Sequence, residues 1–140
     1  MVDRMTVMTR LPDWEARMST ILDVNASRPF HWGEWDCALF AGTIAAAITG
    51  VDKVSEFRGG KYSDERGAAK ALRKFGRGTL MKTIDGLYTR KSLSHVHRGD
   101  IVWHKGAVGI CIGAFGLFLP PDGGGYARVP LADLEIAWEV

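Results

Sequence analysis

The chain has 140 residues, of which 46% are hydrophobic and 24% charged, and its formal net charge is +2. This composition is typical of one globular domain that builds its core without disulfides or a metal. The weak net charge gives no indication of a nucleic-acid partner. No apolar stretch reaches the ~20 residues that a membrane span requires. We therefore predict a single domain over residues 1–140, with no membrane span and no nucleic-acid partner.

The first ten residues lack the apolar segment of a signal peptide. Cys37 and Cys111 are the two cysteines, too few for a secreted disulfide framework. We therefore expect the protein to be made in a cytoplasm, with both thiols free. The sequence has none of the compact Cys or His pairs that mark zinc sites, so we predict no metal and no cofactor.

Four helices are predicted before residue 90. Pro12 favours the start of the first, and Asp36 is a suitable N-cap for the second, which Gly50 would end. The second helix is apolar on nearly every side, which predicts a central position. The predicted ranges are 12–25, 37–49, 64–75 and about 80–86.

After Gly99 the sequence becomes typical of antiparallel strands, with branched and aromatic residues separated by turn residues. The predicted strands cover residues 100–104, 107–112, 115–119, 126–129 and 135–140. Helices first and a small antiparallel sheet second indicate the α+β class.

Cys37 lies in the predicted first turn of the apolar helix. Unpaired amide groups and the positive end of the helix dipole there favour a thiolate over a thiol. A catalytic thiolate also needs a positioned histidine as general base or acid. The alternative is that Cys37 is a buried structural thiol, since free cysteine is among the most buried residue types.

Three stretches of the sequence resemble a known family. They are residues 30–37 (FHWGEWDC), residues 99–102 (GDIV) and residues 107–113 (AVGICIG). Together, in this order and spacing, they resemble the papain-like NlpC-type cell-wall endopeptidases. More narrowly, the sequence is similar to short phage and prophage proteins that carry this signature, usually among tail-tip components.

The resemblance implies a papain-like core over residues 28–140, preceded by an N-terminal helix in residues 1–27. It implies Cys37 as the nucleophile, with its neighbour Asp36 in the same site. Other phage tail proteins would be the partners, possible substrates would come from peptidoglycan, and the protein would move from the bacterial host cytoplasm to the virion tail tip.

Two departures from the family pattern fall on catalytic positions. The active family has a tyrosine two residues before the Trp-Gly pair and a histidine immediately before Val-Gly-Ile. Here these positions are Phe30 and Ala107. Neither a phenyl ring nor a methyl group can donate or accept a proton, so the resemblance implies a degenerate site.

His104 is a candidate replacement for the missing histidine. If Lys105 and Gly106 form a two-residue hairpin turn, His104 lies opposite Ala107 with Cβ atoms about 5 Å apart. A slip of one residue would move His104 to the other face. Asp122, near the glycine run 123–125, is a candidate to orient the imidazole.

The same register separates the two faces of the predicted sheet. Ala107, Gly109 and Cys111 share one face, and their small size would let the second helix approach closely. Ile101 and Trp103 lie on the other face with more large apolar residues, and either the chain itself or a partner must cover them.

Three functions remain open. The first is a structural phage tail-tip component with an eroded peptidase site. The second is an active cysteine endopeptidase or amidase that cleaves peptidoglycan during phage entry, with Cys37 as nucleophile and His104 as base. The third is an intracellular hydrolase or acyltransferase unrelated to phage.

Overall fold

The computed structural model describes residues 10–122 and 125–140. Within these ranges the chain forms four α-helices and six β-strands, which confirms the α+β class. The helices are α1 (Trp14–Val24), α2 (Cys37–Thr49), α3 (Glu65–Phe75) and α4 (Leu80–Leu87). The strands are β1 (Arg90–Lys91), β2 (Ile101–His104), β3 (Ala107–Cys111), β4 (Phe115–Phe118), β5 (Ala127–Pro130) and β6 (Ile136–Trp138). The expectation for the first ten residues falls almost wholly outside the described ranges.

The helix boundaries follow local capping chemistry. The side chain of Asp36 accepts a hydrogen bond from the Leu39 amide at the start of α2, and Gly50 ends that helix in the left-handed conformation. Asp64 and Thr79 cap α3 and α4 in the same way. All four predicted helices are confirmed, with ends that differ by one or two residues. None of them has the length and apolarity needed to cross a bilayer.

The six strands form one antiparallel sheet in the order β1-β6-β2-β3-β4-β5. The predicted hairpin register is confirmed, since His104 pairs with Ala107. The turn residues Lys105 and Gly106 have φ angles of 46° and 81°, and positive φ at both positions is typical of a type I′ turn. The sequence analysis missed β1, because two polar residues carry no alternating pattern.

The prediction for the faces of the sheet was wrong. Helix α2 packs against the face formed by Ile101, Trp103, Val108 and Ile110, here called the helix face. The face with the small residues, here called the outer face, is covered by Phe118 and Leu134. A Cβ atom on Gly109 would lie 2.7 Å from the Phe118 ring. The small residues therefore make room for an aromatic ring of the neighbouring strand, and not for a helix.

The chain itself covers both faces of the sheet. Ile44, Ala45 and Ile48 of α2 are fully buried in the core on the helix face, together with Met18 of α1. Among the described residues, the exposed large hydrophobic side chains are Val24, Val51 and Leu131. Within residues 10–122 and 125–140, both apolar sheet faces are covered by the chain itself.

Asp100 joins distant parts of the chain through a buried carboxylate. Its side chain is fully buried and contacts Arg10 at 3.1 Å and Lys91 at 2.7 Å. The same carboxylate accepts hydrogen bonds from the amides of His97 and Val140. Burial lowers the pKa of Lys91, but the hydrogen bonds to Asp100 and Glu139 outweigh burial and raise that pKa overall. Both ends of the described chain are thus tied to β1 and β2.

We expect Asp100→Asn to lower the free energy of unfolding by about 3 kcal/mol, because Lys91 would keep its charge without a buried counterion. Urea denaturation at pH 7 measures the change. The matched control is Asp133→Asn at an exposed carboxylate, for which we expect a change below about 0.5 kcal/mol. Equal losses for the two variants would contradict the role given to Asp100.

Candidate functional site

The site is organised by the buried carboxylate of Asp36, which is 2% exposed. One oxygen accepts from the Leu39 amide at 2.9 Å. The other accepts from the Gly33 amide at 3.0 Å and from the Tyr62 hydroxyl at 2.5 Å. Three donors satisfy the charge that burial would otherwise disfavour. Asp36 therefore holds together the start of α2, the preceding turn and the segment before α3.

The turn before α2 depends on a glycine. His31 and Trp35 pair through two backbone hydrogen bonds of 3.1 and 2.8 Å, which close the turn. Gly33 lies between them with a φ angle of 81°, and a Cβ atom there would overlap the carbonyl oxygen of Tyr62. Glycine is thus required both for the backbone conformation and for the approach of Tyr62.

Tyr62 is a site residue that the sequence analysis missed. Its ring is buried, and burial together with the hydrogen bond to Asp36 raises the pKa of its hydroxyl above the ordinary value of 10.0. It lies outside every regular element, so no hydrophobic period could have indicated it. Tyr62 and Cys37 both line the cavity described below. Phe30, the position at which the sequence analysis expected a tyrosine from the resemblance, has no hydroxyl. The Phe30 ring packs edge-on against Trp32, with ring centroids 5.0 Å apart.

Cys37 begins α2 as predicted, but its ionisation shifts in the opposite direction to our expectation. Burial raises the pKa of the thiol above the ordinary value of 9.0, and the charge of Asp36 adds to this effect. The amides of Val108 and Ala38 lower the pKa, yet they do not compensate. Desolvation of the thiolate therefore outweighs the helix N-terminus, and Cys37 is a neutral thiol at pH 7.

The structure does not bring His104 to Cys37. His104 follows Val102 by two residues on β2 and so lies on the outer face, whereas Cys37 packs into the core on the helix face. The Nδ1 atom of His104 is 3.1 Å from the carbonyl oxygen of Asp133. Its ring centroid is 6.2 Å from that of Phe118. The register that pairs His104 with Ala107 is correct, but both residues face away from α2.

Neither the candidate Asp122 nor the three other histidines of the chain make a contact with Cys37 among the hydrogen bonds of the described residues. Asp122 is exposed and makes no hydrogen bond within residues 10–122 and 125–140; two of the three glycines that follow it lie outside those ranges. His31 contacts the carbonyl oxygen of Trp32 at 3.0 Å. His95 and His97 are exposed, next to Ser94 and Lys91 respectively. None of the four imidazoles of the chain makes a hydrogen bond to the Cys37 sulfur.

Cys111 is a core residue of the outer face. It is 1% exposed, and burial raises the pKa of its thiol. Its sulfur lies 3.7 Å from the carbonyl oxygen of Gly113. Over the described ranges, no three His, Cys, Asp or Glu side chains gather as metal ligands.

A cavity of about 290 Å³ adjoins Cys37. It lies between α2, α3, α4 and the hairpin of β2 and β3. Most of the side chains that line it are apolar. The residues used below are Trp32, Asp36, Cys37, Tyr62, Glu65, Ala68, Leu72, Thr83, Ile84, Leu87, Tyr88 and Val108. No histidine, lysine or arginine is among the lining residues.

We expect Tyr62→Phe to lower the free energy of unfolding by about 2 kcal/mol, because Asp36 would lose one of its three donors while remaining buried. Chemical denaturation with fluorescence detection measures this loss. The matched control is Tyr88→Phe, which removes a hydroxyl that makes no hydrogen bond within the described part of the chain and should cost less than about 0.5 kcal/mol. Similar losses for both variants would argue against the Asp36 network.

The raised pKa predicts how Cys37 reacts with iodoacetamide, since only the thiolate is alkylated. The rate at Cys37 should rise continuously to a midpoint above pH 9.0, without a plateau near neutral pH. Mass spectrometry of the Cys37 peptide gives the rate at each pH. A pKa that is higher in the folded state also makes stability depend on pH. The contribution of the Cys37 thiol to the free energy of unfolding is fully present below the unfolded-state pKa and is lost as the pH rises through the folded-state pKa.

Two controls accompany this profile. His104→Ala should leave it unchanged, because the imidazole is on the other face of the sheet. The chain unfolded in urea should titrate near the ordinary thiol value. A midpoint below pH 9.0 in the folded protein, or a shift caused by His104→Ala, would contradict the geometry described above.

Comparison with known proteins gives a family but no activity. No protein of curated function matches the chain. Residues 9–140 match the family described as Domain of unknown function (DUF6950). Because this match takes in nearly the whole sequence, the chain belongs to the DUF6950 family.

Proposed function

We propose that the chain is a papain-like, NlpC-type domain without peptidase activity, and that it serves as a structural component of a phage or prophage tail tip. It would be made in the cytoplasm of the bacterial host and incorporated into the virion with other tail proteins. The observation that carries the loss of activity is the geometry around Cys37, which has the Asp36 carboxylate and no imidazole beside it among the described residues.

The papain-like fold is supported by the position of Asp36 and Cys37. They lie at the start of α2, a buried helix that packs on the β2–β3 hairpin. The amide of Val108, at the start of β3, interacts with the Cys37 sulfur. The resemblance implies a helix with the cysteine at its start packed on a hairpin, although the position given to the histidine, Ala107, lies here on the outer face.

Among the described residues, the lining of the cavity contains no histidine to serve as the base, and its carboxylates are the buried Asp36 and the exposed Glu65. A general base must lie within about 3 Å of the proton that it removes, directly or through one water molecule. The carboxylate of Asp36 already accepts three hydrogen bonds, one of them from Tyr62. A positioned base contributes roughly 10²- to 10⁴-fold to the rate, so its loss together with a raised thiol pKa leaves little catalysis.

As an assembly component, the chain would contact other tail proteins through polar side chains. The described chain buries both faces of its own sheet, and Val24, Val51 and Leu131 are isolated exposed hydrophobic residues. Contacts with other tail proteins would therefore involve the charged and polar surface, which is typical of non-obligate interfaces.

One observation favours the alternative, an active cysteine endopeptidase or amidase that acts on peptidoglycan. Cys37 lines a cavity at a helix start, where a nucleophile would be expected. An enzyme of this kind would need a proton acceptor other than the four histidines, because none of their imidazoles makes a hydrogen bond to the sulfur.

Peptidoglycan hydrolysis separates the two functions. We expect the purified protein to release no more soluble muropeptide from purified sacculi than Cys37→Ala does. Chromatography of the released fragments measures the activity, and an active NlpC-type endopeptidase confirms that the sacculi are cleavable. Release that depends on Cys37 would overturn the inactive assignment.

Phage complementation with Cys37→Ala tests the structural role in the tail. A phage or prophage lacking this gene should yield particles with defective tails, and both the wild-type gene and Cys37→Ala should restore infectivity to the same level. Mass spectrometry of purified virions should detect the protein in each case. Its absence from virions, or normal tails without the gene, would overturn the structural role.

A further inference from the structure

The cavity beside Cys37 is large enough to hold a small molecule. The cavity measures about 290 Å³ and is partly open to solvent, with exposed Glu65 and Gly106 in its lining. In other proteins a cavity of about 150 Å³ with an aliphatic lining binds benzene. A volume of 290 Å³ therefore accommodates a larger group, such as a bicyclic aromatic ring or a short hydrocarbon chain.

The polar groups in the lining are mostly engaged within the protein. The Tyr62 hydroxyl donates to Asp36, and the Thr83 hydroxyl donates to the carbonyl oxygen of Thr79 at 2.7 Å. The Tyr88 hydroxyl differs, since it makes no hydrogen bond within the described ranges although the residue is half-buried. A ligand would thus meet a hydrocarbon surface with one free hydroxyl.

The charges of the lining exclude an anionic ligand. Asp36 is buried and Glu65 is exposed, and no lysine, arginine or histidine lines the cavity to balance a further negative charge. A cationic ligand would lose its hydration among apolar side chains, while the Asp36 carboxylate is already satisfied by three donors. An uncharged molecule avoids both costs.

We propose that this cavity binds a small uncharged apolar molecule, of bicyclic aromatic or short-chain hydrocarbon size, with one polar atom that the Tyr88 hydroxyl can meet. This site is independent of the tail role, because it is a property of the purified protein. Cys37 lies in the lining and therefore reports on occupancy: a bound molecule should shield its sulfur from alkylating agents.

Indole is a suitable probe, because it is an uncharged bicyclic ring with a single N–H donor. At indole concentrations ten times its dissociation constant, the alkylation rate of Cys37 at pH 9 should fall about tenfold. The melting temperature should rise by about 3–6 °C under the same conditions. Indole-3-carboxylate, which adds a negative charge to the same ring, should give neither effect.

Two variants locate the binding site. Ala68→Phe places a ring into the cavity from α3 and should abolish the protection of Cys37 by indole. The matched control is Ala47→Phe, the same change at a half-buried position of α2 outside the lining, and it should keep the protection. If Ala68→Phe does not fold, the proposal is tested on the wild-type protein by comparing Cys37 alkylation in indole with that in indole-3-carboxylate.

Three results would overturn the proposal. They are unchanged Cys37 alkylation in millimolar indole, equal protection by indole-3-carboxylate, and protection that persists in folded Ala68→Phe. Protection by a purified tail protein but not by indole would also overturn it, in favour of a pocket for a partner's side chain. The results with indole and with Ala68→Phe do not bear on virion incorporation, so the proposal can fail while the tail role holds.

Discussion

The carboxylate of Asp36 is the interaction on which the site depends. A buried charge of this kind is tolerated only when hydrogen bonds replace its lost hydration, and its donors come from three separate segments: the turn at Gly33, the first turn of α2 and Tyr62. Removing one donor leaves the charge buried and undersatisfied. The position of Cys37, the closure of the preceding turn and one wall of the adjoining cavity therefore follow from a single side chain.

Much of the fold could be predicted because its signals are local. Asp36 and Gly50 bound α2 through capping groups that act within one helical turn. The hairpin register follows from Lys105 and Gly106, since a two-residue turn with positive φ angles fixes which residues pair. Neither inference requires knowledge of distant contacts.

The remainder depends on packing between distant segments. Strand alternation shows that Ala107 and Cys111 share a face, but not which face α2 covers. That choice depends on Phe118, whose ring occupies the space over Gly109 and Gly116. Tyr62 reaches Asp36 from a segment without regular structure, so its role has no sequence signal. The ionisation of Cys37 was misjudged for the same reason, because burial is a property of the assembled core.

The charges around Cys37 determine both the ionisation of its thiol and the kind of molecule that the cavity can bind. A catalytic thiolate is stabilised by a neighbouring cation, ordinarily the imidazolium that its own proton creates. Here the nearest charge in the lining is the negative Asp36, and no cation accompanies it. An ionised sulfur would therefore face apolar side chains and a like charge. The apolar surroundings without a cation that disfavour the thiolate are the same properties of the lining that the proposed uncharged ligand requires.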